Sequence, residues 1–328
     1  MGRRSRAAVT LEDVARAAGV SRATASRALI GAGPVTPARQ RVRAVAEQLG
    51  YSPDPLARAL AGGAGSRLVV AVAGPTPEVL RDAYVSRVVS SAALVGDPHG
   101  VGVSLQWLPF DGARLLDRLA ADRSVRGVVL INPTEPLIDA VPTALHGRIV
   151  SVGTGSAAVP MFDVDGSGGA GHIVRHLYTS GRRRIAMITG PDWLPCTRRP
   201  AAAYRATLLA AGLPVRIVAG DFTAASGHAG ALEVLSRWPD TDAIYAACDA
   251  TALGAIAALR ARGVDVPGDI AVAGFDDVPV AALSGPALTT ATHPVEQIAA
   301  AAATAVIDSA PVPEATVFGS ELVLRESA

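Results

Sequence analysis

Few segments of this chain carry residue types at spacings that chemistry uses. Gly166-Ser167-Gly168-Gly169-Ala170-Gly171 satisfies G-x-G-x-x-G, the pattern in which a backbone loop and a helix N-terminus cradle a pyrophosphate, and Asp192 follows about twenty residues later. A lone match among 33 glycines is weak support, and Asp192 stands beyond a further apolar run with prolines on both sides. The preferred reading is that Asp165 and Gly166 begin a helix, with Asp165 at a cleft. His172 and His176, four apart, would share one helix face and present a metal, but no Glu follows His172 and no third ligand is evident. A surface or packing role fits them better. Cys196 has no neighbouring base, and no Ser/His/Asp set with a nucleophile elbow occurs, so an enzyme finds little support. Asp276 is the strongest site candidate. It follows the apolar run Ile270–Gly274, and a carboxylate at a strand's carboxyl end can accept hydrogen bonds from two adjacent hydroxyls. Its alternative role is a helix cap.

Such residues need elements to hold them. From Arg67 onward, short apolar runs alternate with helical stretches. Strands are expected at Leu68–Ala73, Val101–Leu108, Gly127–Ile131, Arg148–Gly153, Met161–Val164, Arg184–Thr189, Val215–Ala219, Ala243–Ala247, Ile270–Gly274 and Glu321–Leu324. The alternation predicts parallel sheets covered by helices, with ligands at the carboxyl ends of the strands. With 328 residues the chain exceeds one usual domain. Half of it is hydrophobic but only 4% aromatic, so the core must be built from Ala, Val, Leu and Ile. No run approaches the ~20 apolar residues of a membrane span. The N-terminus lacks the apolar stretch of a secretory signal, and two cysteines make no disulfide framework. A soluble, cytoplasmic protein is expected, with no membrane contact and no cofactor.

The charge is uneven. Residues 1–62 carry a net +6 and the rest −5, the footprint of a small basic module on a mildly acidic body. Within that module Thr10 is placed to cap a helix containing Leu11, Val14, Ala15 and Ala18, which Gly19 stops. Ser21 caps a second helix, Arg22 to about Ile30, and Thr36-Pro37 opens a third that runs to Leu49 before Gly50. Two short helices joined by a tight turn make a helix-turn-helix, whose second helix exposes Arg22, Ala23 and Arg27 near its start, where base edges are read. Asp54-Pro55 can open a further short helix, Leu56 to Ala61, too short to be stable alone in water.

VTLEDVARAAGVSRATASRALIGAGPVT (residues 9–36) and LGYSPDPLARALAGG (49–63) resemble the headpiece and hinge of LacI-type (lactose-repressor/galactose-repressor) transcription regulators. The usual Asn late in the recognition helix is Ile30 here, and the segment after Thr36 looks one residue short, which would trim the start of the third helix. The resemblance implies DNA contacts from Thr10, Ser21, Arg22, Ala23, Thr24, Ser26, Arg27, Tyr51, Ala57 and Leu60, with Leu60 as a minor-groove wedge. It continues through VDGSGGAGHIVRHLYTSGRRRIAMITG and CDATALGAIAALRARGVDVPGDIAVAGFDDVP, is strong over about 148–298 and weak over 74–126. It implies a core similar to periplasmic sugar-binding proteins, with effector contacts from Asp165, Arg198, Cys248, Asp249, Phe275, Asp276 and His293. In this family an Arg lies four residues before an aromatic; counting back from Tyr204 gives Pro200, with Arg198 and Arg199 just before it. Cys248 likewise stands where a ligand-binding Asn is usual.

The expected protein is a repressor. An all-α helix-turn-helix headpiece (1–48) and a hinge (49–63) precede an α/β core of two parallel-sheet lobes (64–328) that binds the effector and dimerises. Its partners are double-stranded, pseudo-palindromic operator DNA, a sugar or sugar derivative, and a second copy, with a tetramer as the larger alternative. The rival readings are a solute-binding protein of the same core fold and a nucleotide-binding enzyme resting on the Gly-rich loop.

Overall fold

In the computed structural model, residues 9–30, 36–51, 65–309 and 311–328 are described. They divide into a smaller unit, the residues up to Arg67 together with Asp122–Arg126, and a larger unit formed by the remainder.

The smaller unit is built from α1 (Leu11–Ala18), α2 (Arg22–Ile30) and α3 (Pro37–Leu49). Each begins as its sequence dictates. Thr10 and Asp13 form a reciprocal capping box on α1, Ser21 Oγ accepts from the Thr24 N–H at 3.2 Å, and Thr36 caps α3 ahead of Pro37. Nothing trims α3 beyond this. Gly19 and Gly50 end α1 and α3 at φ of 67° and 66°, a conformation glycine enters without a Cβ penalty. Val14, Ala15, Ala18, Ala25, Ala28, Val42 and Ala46 are buried together, and small side chains let three short helices pack closely.

In the larger unit, β1 (Arg67–Ala73), α4 (Ala83–Gly96), β2 (Gly102–Leu108), α5 (Ala113–Ala121), β3 (Val125–Ile131), α6 (Glu135–Asp139), β4 (Ile149–Val152) and β5 (Met161–Val164) come first. There follow α7 (Gly166–Thr179), β6 (Ile185–Ile188), α8 (Arg198–Ala210), β7 (Arg216–Val218), α9 (Ala224–Arg237), β8 (Ala243–Ala246), α10 (Asp249–Ala261) and β9 (Ala271–Ala273). The last elements are α11 (Pro279–Leu283), β10 (Thr290–Ala291), α12 (Val295–Asp308), β11 (Ala315–Phe318) and β12 (Leu322–Val323). The first lobe holds a six-stranded sheet of order β11-β5-β4-β3-β1-β2; the second holds β7-β6-β8-β9; and β10 pairs antiparallel with β12. The registers from β3 to β11 and throughout the second sheet are parallel. The central strands β1, β3, β4, β6, β8 and β9 are almost fully buried, as expected where helices cover both sides.

The chain passes between the lobes three times: after β5, between β9 and α12, and between β11 and β12. In each sheet the strand order reverses beside a first strand, β1 or β6, and the carboxyl ends there are where open α/β sheets bind ligands. All ten expected strands are present, with ends within two residues of expectation. Two were not anticipated. β10 is two residues long, and β11 is a half-exposed edge strand behind Pro311 and Pro313 that lacks the apolar signal of its buried neighbours.

Within the second lobe, α9 and α10 cross at Gly227 and Gly254. A Cβ on either would collide with the other helix's backbone, at Thr251 O or Ala224 O, so the approach requires glycine.

Candidate functional site

On α2, Arg22, Ala23 and Arg27 are exposed, Thr24 and Ser26 are half-buried, and Ala25 and Ala28 point into the core. The Ser21 and Thr24 hydroxyls lie 2.9 Å apart at the helix start, and Arg27 Nε donates to Ala23 O at 3.3 Å. One face of α2 is therefore fixed by packing and the other carries donors and cations at the helix's N-terminal end, the geometry of a helix read out in a major groove. Thr10 is exposed, while Tyr51 is half-buried against the three-helix core, its N–H bonded to Ala46 O at 2.8 Å. Ala57 and Leu60, with the whole expected hinge helix, lie outside the described residues, as do the expected loop at 31–34 and the arginines of the first eight residues.

The second site is a cleft between the lobes of the core. Tyr84, in the first turn of α4, is its hub: burial pushes its hydroxyl pKa well above 10, and Asp163, Cys196, Asp276 and Asp82 all add to that push. Asp82 caps α4, its Oδ1 accepting from the Tyr84 N–H at 2.9 Å. It is solvent-exposed, yet desolvation raises its carboxyl above the ordinary range, with Asp276 adding to the rise. The Tyr84 ring lies 5.3 Å from that of His293, and His293 Nδ1 lies 3.0 Å from Asp276 Oδ1. Asp276 itself has φ of 114°, a strained conformation for a residue with a side chain, held by its N–H bond to Ala291 O at 2.9 Å. Two buried polar atoms around it have no protein partner: His293 Nε2 and the hydroxyl of Tyr245, a fully buried residue on β8.

Opposite, the lobes are bridged. Arg199, in the first turn of α8, donates to Gly153 O at 3.2 Å and makes a short hydrogen-bonded ion pair with Asp163 on β5. Burial holds Asp163's carboxyl above the ordinary range even with Arg199 beside it. At the rim, Phe110 and Trp193 approach with ring centroids 4.9 Å apart, and Arg198 reaches Glu135 at 3.1 Å.

Residues 10–54 match the model of the lacI family of bacterial regulatory proteins, and residues 174–328 match a periplasmic binding protein-like domain. The HTH-type transcriptional regulator CelR of Thermobifida fusca is 33% identical over 97% of this chain and 98% of its own length. The chain belongs to the LacI family. It is a DNA-binding transcriptional regulator whose core is of the effector-binding kind. Catabolite control protein A of Priestia megaterium is 30% identical over 90% of both chains. Among solved structures, a CelR–cellobiose complex aligns with a TM-score of 0.72 at 31% identity, covering 98% of this chain and all of that one. A lac repressor dimer bound to operator and the anti-inducer ONPF aligns at 0.83 and 26% identity, covering 98% of this chain and 99% of that one.

Of the effector contacts that LacI membership suggested, the structure brings together Asp276, His293 and Phe275, whose ring sits 6.1 Å from that of His293. It gives four others partners within the protein. Arg198 pairs with Glu135, and both side chains are more than half exposed; Arg199, one residue on, is the arginine inside. Asp165 is exposed and spends Oδ1 on the Gly168 N–H as the cap of α7. Cys248 is buried and caps α10, with Sγ also on Phe222 O, and burial lifts its thiol to about 12. Asp249 is fully buried; Thr290 Oγ1 and the Val278 N–H occupy its two oxygens at 2.6 and 2.9 Å. Asp276 is not a helix cap, since α11 takes Val278 as its N-cap and has no side-chain cap.

The Gly-rich fingerprint has a packing explanation. A Cβ at Gly169 would strike Phe275 and Ser320, and one at Gly168 would strike Asp165. His172 is exposed, His176 is half-buried, and no cluster of three or more metal-ligating residues occurs among the described residues. Sequence reasoning missed Asp82, Tyr84, Asp163, Arg199 and Tyr245. A charge inside the strand run Met161–Val164 and a hydroxyl inside the run Ala243–Ala246 were the available signals.

Proposed function

We propose that this regulator is a homodimeric repressor whose grip on a pseudo-palindromic operator is set by a small, sugar-like effector in the core cleft. The carrying observation is the cleft wall itself: a strained Asp276 bonded to His293, with two buried polar atoms beside it that await partners. A closed polar site costs free energy while its donors and acceptors are unfilled, so a polar ligand that fills it favours the conformation in which they converge. The CelR–cellobiose complex and the operator-bound lac repressor support the same assignment of roles.

In this reading, residues 1–48 form the headpiece, 49–63 the hinge and 64–328 the effector-binding and dimerising core. Thr10, Ser21, Arg22, Ala23, Thr24, Ser26, Arg27, Tyr51, Ala57 and Leu60 face DNA. Asp276, His293 and Phe275 face the effector together with Tyr84, Tyr245 and Arg199. The effector alters how the first lobes of a dimer face each other, and operator affinity changes by that coupling. The protein works in the cytoplasm, and no bond-making step is assigned to the cleft.

The test joins operator selection to ligand titration. Arg22→Ala is expected to cost ~1–3 kcal/mol of operator binding and to relax preference at one symmetric pair of positions, because Arg forks onto guanine O6 and N7. Asp276→Asn is expected to keep operator binding and blunt the effector response. An unchanged selected motif overturns the α2 assignment, and an unchanged response overturns the cleft.

A further inference from the structure

The loop that carries Asp276 departs from ordinary backbone geometry at two consecutive residues. Asp276 has φ of 114° and Asp277 φ of 49°, values that a residue with a side chain rarely adopts. Such conformations persist only where the surroundings over-determine them. One residue grips the loop on both sides of the strained pair. The Asp249 N–H donates to Phe275 O at 2.7 Å, just before it, and Asp249 Oδ2 accepts from the Val278 N–H at 2.9 Å, just after it. Asp249 Oδ1 accepts from Thr290 Oγ1 at 2.6 Å, which ties the same carboxylate to β10, in the passage between the lobes. That passage also receives the Asp276 N–H on Ala291 O, at 2.9 Å. Two residues beyond β10 it presents His293, whose Nδ1 lies 3.0 Å from Asp276 Oδ1. Gly274 makes room for the grip, because a Cβ there would strike Asp249 Oδ1. Arg325 adds a second hold on the loop, through the Asp277 carboxylate at 2.7 Å.

We infer that Asp249 is a positioning residue of the effector site, its carboxylate holding residues 275–278 in the conformation that turns Asp276 onto His293. Asp249 is fully buried and both its oxygens are occupied within the protein, so it acts through Asp276 and not on a ligand. Without the carboxylate, the buried Val278 side of the loop and the Thr290 hydroxyl lose their acceptor. Asp276 and Asp277 then relax toward negative φ, and the Asp276 side chain swings off His293. Because the same carboxylate joins the loop to β10, a ligand that draws on Asp276 and His293 pulls on a segment that connects the lobes. This inference rests on the effector-cleft reading above and adds the residue, out of a ligand's reach, that sets the site's geometry.

Nuclear magnetic resonance on the full-length protein without ligand tests it. The ring signals of His293 are identified by their loss in His293→Gln, and Asp276→Ala gives the position they take when the neighbouring carboxylate is gone. Asp249→Leu removes both acceptor oxygens. It is expected to move the His293 signals to the Asp276→Ala position and to speed exchange of the Asp276 amide by roughly tenfold or more, while the amides of β6 keep their rates. Asp249→Asn, with an oxygen for Val278 and an amide for Thr290, is expected to restore both readouts. Thr290→Val removes one donor only, is expected to give an intermediate shift, and decides the matter if Asp249→Leu does not fold. Wild-type His293 signals in folded Asp249→Leu, or in Thr290→Val when that variant decides, overturn the inference. Uniformly faster exchange across the second lobe with His293 unmoved makes Asp249 a residue of stability alone and overturns it as well. No ligand enters these measurements, so either failure leaves the effector-cleft reading standing; that reading falls separately, on an unchanged effector response in Asp276→Asn.

Discussion

The headpiece and the cleft solve opposite problems with the same side-chain chemistry. In the headpiece, polar groups find partners three residues away: Thr10 with Asp13, Ser21 with Thr24, Thr36 with the Arg39 N–H. The one longer reach, Arg39 Nε to Ala28 O at 3.2 Å, spans eleven residues, and the exposed face of α2 carries Arg22, Ala23 and Arg27. In the cleft, partners come from far along the chain. Arg87 meets Glu296 across 209 residues of sequence, Arg199 meets Asp163 across 36, and His293 meets Asp276 across 17. Even so, polar atoms there remain unfilled. A site that must sense a small molecule is left incomplete by its own fold, whereas a surface that must present itself to DNA is finished locally.

The contrast predicts a graded set of effects. The largest follows from Arg199→Ala, which leaves the nearly buried Asp163 carboxylate without its cation. The core is expected to lose roughly 2–4 kcal/mol in denaturant unfolding, with most of it recovered in the Arg199→Ala/Asp163→Asn double variant. A loss below about 0.5 kcal/mol makes this pair no more than a surface contact.

Next in size is a pH effect at Asp249, whose carboxyl burial pushes from 3.8 up to about 7. Between those values the folded core holds a proton that the unfolded chain has released, so stability declines as pH rises from about 4 to about 7. The slope is at most ~1.4 kcal/mol per pH unit. Asp249→Asn can serve Val278 N–H with its oxygen and Thr290 Oγ1 with its amide, and is expected to flatten that decline; an unaltered pH profile assigns it elsewhere.

Smaller still, Thr10→Ala removes one capping box and is expected to cost the headpiece ~1 kcal/mol in its thermal transition while leaving ligand binding by the core unchanged. Arg198→Ala is expected to alter both stability and ligand affinity by less than about 0.5 kcal/mol, because its ion pair is solvent-screened. A larger loss of affinity returns Arg198 to the cleft in place of Arg199.

The same division governs what the sequence could convey. Caps, stop glycines and the Pro37 start are short-range instructions, so all three helices begin where their caps predict, and the expected trimming of the third does not occur. Ten of the twelve strands among the described residues were legible from their apolar runs, and β10, buried but only two residues long, was not. β11 was not, because an exposed edge behind two prolines carries no continuous apolar run. Asp276 and His293 were candidates through family resemblance, and the structure adds that they touch. Cys248 and Asp249 were candidates from the same resemblance, and the structure puts Cys248 on the cap of α10 and Asp249 on Thr290 and Val278. Spacing does not say which side chains burial has used up. Arg198 and Arg199 are adjacent in sequence, and only the direction in which α8 starts decides which guanidinium enters the cleft. Tyr84 lies where the resemblance is weak, and its role emerges only once α4 is set against the far end of the chain.

The third passage between the lobes also orders the protein's synthesis. The first sheet takes its outer strand, β11, from residues 315–318, and the second lobe takes the Ser327 hydroxyl bond to Val272 O and the pairing of β12 from still later residues. A ribosome releases these last among the described segments, whereas every residue of α1 to α3 has emerged long before. A nascent chain stalled at residue 300 therefore carries the whole DNA-reading headpiece and neither completed lobe, so the means of sensing arrive after the means of binding.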